Sequence, residues 1–93
     1  MQNLSASQPA FPCRDLNLAA FLFASGVPLI DALPVGPSRV EYRFDDPLRC
    51  ERLVKDFCSG KAVLNARLFV EGLSRARDLR DSICLSAVRP GTK

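Results

Sequence analysis

The chain contains no histidine and no tryptophan, and it has one methionine and one tyrosine. Histidine is the commonest general base and the commonest metal ligand, so its absence narrows both chemistries together. None of Ser5, Ser7, Ser25 and Ser59 has a histidine to activate it, and neither has any cysteine thiol. Long apolar runs are missing too. The longest spans Leu16 to Ala24 and is interrupted by Asn17, well short of the roughly 18 residues a membrane-spanning helix needs. The leader before it holds Pro9 and Pro12 and is nearly neutral, with Arg14 beside Asp15. A secretory signal would carry net positive charge directly before its apolar stretch. No CxxC occurs among Cys13, Cys50, Cys58 and Cys84. Without histidine these cannot complete a mixed zinc site. Their pairing is open, since four cysteines allow three connectivities. The expected state is four small apolar side chains in a reducing compartment.

What remains is the composition of an ordinary globular domain: 93 residues, 47% hydrophobic and 25% charged. This length suits one domain with a small core. Residues 1–12 are rich in Ser, Gln and Pro without periodicity and read as a flexible arm; residues 86–93 read as a flexible tail. The domain is expected over 13–85.

Asp15 is a good N-cap for a helix running to about Ser25, and Gly26 suits the left-handed position that ends one. This helix is apolar on every side, which means burial or a partner. Residues 27–35 carry Pro28 and Pro34, which place them at a sheet edge. After the turn at Gly36-Pro37-Ser38, residues 39–44 alternate. Val40, Tyr42 and Phe44 lie on one face, Arg39, Glu41 and Arg43 on the other. Asp45-Asp46-Pro47 opens a second helix, and Ser59-Gly60 closes it. The two aspartates are adjacent enough for an acid/base pair, but before a proline at a helix start they are expected to be caps. Lys61 after Ser59-Gly60 lacks the first glycine and the context of a phosphate loop. Asn65 caps a last helix running to about Leu85, in which Gly72 marks a close packing contact. The expected fold is α+β, ordered α-β-β-α-α, with one β-hairpin covered by helices.

Three blocks of this pattern resemble a family of small bacterial and phage-borne domains of unknown function. The first runs from Asp15 to Leu29 and contains Leu18-Ala-Ala-Phe-Leu22 before Gly26; the second is Arg39 to Asp46. The third joins Phe57-Cys-Ser-Gly60 to Leu64 through Leu73, with Arg77-Asp-Leu79 after it. The family shares an LAAFL…G opening, a VxFxFxD strand and an NARxFxExL last helix. The resemblance covers residues 15–81. This chain departs from it at Tyr42 and in a longer, proline-bracketed hairpin turn. The resemblance implies one compact cytoplasmic domain and supplies no catalytic residue, cofactor or substrate.

The sequence therefore points away from an enzyme and toward a binding module, with no cofactor, metal, membrane or small-molecule substrate implied. The first candidate surface is apolar, on Leu18, Phe21, Leu22 and Leu29, for a protein partner or a homodimer. The alternative is DNA or RNA bound through Arg39, Arg43, Arg67, Arg75, Arg77 and Arg80. Thirteen basic residues against ten acidic ones give a net charge of only +3, and the acids are interleaved with the arginines. A dedicated nucleic-acid domain concentrates its charge in one patch.

Overall fold

A computed structural model describes residues 9–88. The elements run β1 (Phe11–Cys13), α1 (Leu16–Ala24), β2 (Leu29–Gly36), β3 (Arg39–Phe44), α2 (Pro47–Cys58) and α3 (Ala66–Val88). The α+β class and the helix, hairpin, helix, helix succession are as expected. One strand is additional. β1 pairs antiparallel with β3 and the sheet order is β1-β3-β2, so β3 is central. Residues 11 and 12, expected in a flexible arm, are therefore strand; residues 1–8 of that arm lie outside the described residues. A similar correction applies at the other end, where helix α3 continues through Val88 into the expected tail, and residues 89–93 are outside the description.

The helix boundaries follow local chemistry. The Asp15 carboxylate accepts the Leu18 N–H at 3.0 Å. Gly26 adopts φ 83°, and the Gly26 and Val27 N–H groups close back onto Phe23 and Leu22 carbonyls at 3.0 and 3.1 Å. This pair of bonds satisfies carbonyls that a helix end would otherwise leave bare. Asp45 and Asp46 act at the start of α2. Asp45 accepts from the Asp46 N–H at 2.8 Å, and Asp46 from the Arg49 N–H at 3.3 Å. Asn65 accepts from Arg67 and Leu68 N–H groups at 2.8 and 3.3 Å and starts α3.

The molecule has two layers. Val40, Tyr42 and Phe44 point inward and are buried. α1 lies over them, the Phe23 ring meeting Phe44 edge-on at 5.1 Å and Tyr42 at 6.2 Å. On another side of α1, Phe21 packs against Phe57 of α2 at 5.0 Å. On a third, α1 and α3 cross so closely that a Cβ built on Gly72 would stand 2.5 Å from the Ala20 carbonyl oxygen. Fully buried Ala19, Ala20 and Ala76 permit that approach. The Tyr42 hydroxyl donates to the Ala76 carbonyl at 2.6 Å and ties the central strand to α3. One short helix thus meets a sheet and two other helices, which is why its sequence is apolar all round. Among the described residues the opposite face of β3, which carries Arg39, Glu41 and Arg43, is exposed or half-buried, as antiparallel sheets allow. Among the described residues no helix is long and apolar enough to cross a membrane.

Candidate functional site

The apolar surface expected on α1 is a core surface. Phe21 and Leu22 are buried within the chain and Leu18 is half-buried, so these residues do not form a free docking face. The correction has a clear origin: α2, α3 and β3 consume the three sides of α1. Leu29 has a different fate. It lies at the start of β2, paired with Phe44, and lines a groove of about 600 Å³ between β2 and α3.

The groove has an apolar lining from Leu29 and Leu79 and polar groups from Ser74, Arg75, Asp78 and Ser82, with Glu71 at one end. Most of these are spaced along α3 at three or four residues, so one face of the helix forms a wall. Arg75 is held in place by stacking, its guanidinium carbon 4.4 Å from the centre of the Phe23 ring. Beside the groove runs the outer edge of β2, which has no strand neighbour among the described residues. Its pairing to β3 slips between Leu29 and Asp31 and again between Pro34 and Gly36, so Ile30 and Val35 are bulged. Ile30, Leu33 and Val35 are all exposed.

The six candidate arginines are distributed over several environments. Arg43 makes a two-pronged contact with Asp31 at 2.7 and 2.6 Å, which holds the Asp31 carboxyl below its ordinary range. Arg67 pairs with Glu71 at 3.4 Å, and Arg77 is exposed. Arg75 belongs to the groove. Arg39 and Arg80 come together with Arg14 around a separate cavity of about 150 Å³ under the hairpin turn. Arg14 was not among the residues singled out by sequence. Only the pairing of β1 with β3 brings it there, since Cys13 stands opposite Tyr42.

The cysteines are free thiols, three buried and one, Cys58, exposed. Burial pushes the Cys50 thiol up to about 11 and raises Cys13 as well. Such thiols carry almost no thiolate at neutral pH and do not act as nucleophiles. With Ellman's reagent, one thiol per chain is expected to react without denaturant and the other three only on unfolding. Cys58→Ser should remove the fast reaction; two or more fast thiols in the parent would mean that Cys13, Cys50 or Cys84 is not buried. Among the described residues no group of three or more Cys, Asp or Glu side chains is placed to hold a metal ion. The chain matches no protein-family model, no curated protein and no solved structure.

Proposed function

We propose that this chain is a non-catalytic peptide-binding module. An extended segment of a partner protein would add to the free edge of β2 and set alternate side chains into the groove beside α3. The observation that carries this reading is the juxtaposition of a free edge strand with a helix-walled groove. Strand addition uses both parts: backbone hydrogen bonds along the edge supply affinity, and side-chain pockets supply choice. Glu71 is held by Arg67, which leaves one carboxylate, Asp78, and one guanidinium, Arg75, in the groove and favours a largely apolar segment with no net charge. The bulges at Ile30 and Val35, with Pro34 between them, interrupt the edge, so an added segment would pair mainly along the regular stretch Asp31–Leu33, whether it comes from a partner or from a second copy. The resemblance to bacterial and phage-borne domains suggests a module acting in the cytoplasm of a bacterium, for the cell or its phage.

The test is selection from a random peptide library, followed by amide NMR shift mapping. Selected peptides should alternate apolar residues and shift the amides of β2 and of residues 71–82. Filling the groove with Ser74→Trp and Ser82→Trp, or charging the edge with Ile30→Lys, should abolish their binding. Peptides that bind the filled variant as well as the parent would refute the site.

A further inference from the structure

The small cavity under the hairpin turn is a different kind of place from the groove. Arg14, Arg39 and Arg80 line it together with Ser38 from the turn and with Leu16, Val40 and Tyr42. Three arginines from three separate segments line this one small cavity, an arrangement that like-charge repulsion disfavours. Two are partly neutralised. Arg14 reaches Glu41 at 3.0 Å and Arg80 reaches Asp81 at 3.2 Å. Both contacts use the Nε–H alone. The terminal amino groups of Arg14 and Arg80 therefore keep their donors unspent among the described residues, and Arg39 makes no ion pair there at all. Arg43 is the contrast: Asp31 takes both its Nε and one terminal nitrogen. Neither Glu41 nor Asp81 lines the cavity.

We infer that this cavity binds a small phosphoryl anion, either inorganic phosphate or the phosphomonoester end of a small metabolite. Planar guanidinium forks match phosphate oxygens with paired hydrogen bonds, and such charge-assisted bonds are the strong ones. The Ser38 hydroxyl adds a neutral donor. A cavity of about 150 Å³ has room for one phosphoryl group. The site is pre-organised from below. Buried Val40 and Tyr42 form part of its lining, and the Tyr42 hydroxyl is already committed to Ala76.

The experiment combines thermal melts at constant ionic strength with phosphorus NMR titration, using inorganic phosphate, phenyl phosphate, chloride and a mixed-sequence oligonucleotide as probes. The midpoint should climb with the logarithm of phosphate concentration, as it does for any ligand that binds only the folded state, and chloride should not substitute. Arg39→Gln and Arg80→Gln should each weaken phosphate binding by about tenfold or more, the worth of a hydrogen bond to a charged group. Lys55→Gln removes an equal charge from the exposed side of α2 and should bind as the parent does. Should Arg39→Gln fold poorly, Arg14→Gln makes the same test. Tighter binding of phenyl phosphate than of phosphate would assign the phosphomonoester; equal or weaker binding would assign the free ion. An equal response to chloride, full affinity in the arginine variants, or a response to the oligonucleotide without one to phosphate would overturn the inference.

Discussion

Replacing Gly72 by alanine is expected to destabilise the fold by about 1–3 kcal/mol, the usual cost of overpacking a well-fitted contact. The sign is the informative part. In an ordinary helix interior the same change gains about 1 kcal/mol, because alanine is the better helix former. Gly72 has no positive φ to lose, so nothing but the crossing opposes the substitution. The obstacle is backbone: the added Cβ would stand 2.5 Å from the Ala20 carbonyl oxygen, and no side chain can rotate out of its way. The two helices would have to part by about 1 Å to restore normal contact. That movement would also loosen Ala19 and Ala76 and stretch the 2.6 Å bond from Tyr42 to the Ala76 carbonyl. Urea unfolding midpoints measure the effect. A Gly72→Ala variant more stable than the parent would mean that α1 and α3 do not cross at this point.

Phe44→Ala should cost more, about 3–5 kcal/mol. Phe44 is fully buried at the end of the central strand, opposite Phe11 on one side and Leu29 on the other. It also receives the edge of Phe23 from α1. Its loss opens a cavity where both strand pairings and the helix layer meet, with no neighbour free to collapse into it. A domain of 93 residues has roughly 5–14 kcal/mol of stability in total. The variant should therefore lose a large share of it, visible as a lowered melting temperature and reduced amide dispersion. Val63→Ala is the control: Val63 is 94% exposed, and its loss should change stability by less than about 0.5 kcal/mol. Similar effects at the two positions would contradict the layer arrangement.

Elements with strong local chemistry are legible in the chain. Asp15 and Gly26 bracket α1, Asp46-Pro47 opens α2, and Asn65 opens α3, because a cap acts on its own neighbours and needs no tertiary contact. The alternation in 39–44 also reads correctly, since one face of β3 is covered and the other is wet. β1 does not read, because three residues holding Pro12 carry no period, and Phe11–Cys13 is a strand only because β3 offers an edge. The apolar excess of α1 is correctly seen, but its reason is not. Burial and docking demand the same residues, and only the positions of Gly72, Phe57 and Phe44 tell them apart. Both cavities are tertiary as well. Leu29 and Arg75 attract notice for unrelated reasons and turn out to share a groove, whereas Arg14 joins Arg39 and Arg80 only through the strand that sequence misses.

The crossing of α1 with α3 also has a consequence for synthesis on the ribosome. α1 is made early, yet the helix that covers one of its sides ends at Val88. At about 5–20 residues per second, roughly 3–13 seconds separate the two. Until α3 is complete, the side of α1 that meets it lacks its final neighbours, even once Phe44 and Phe57 are available to Phe23 and Phe21. The β2–β3 hairpin can pair at once, being local, but it shields only part of α1. A translation product cut short before Gly72 would keep α1 uncovered on that side and go to proteolysis or aggregation instead of folding.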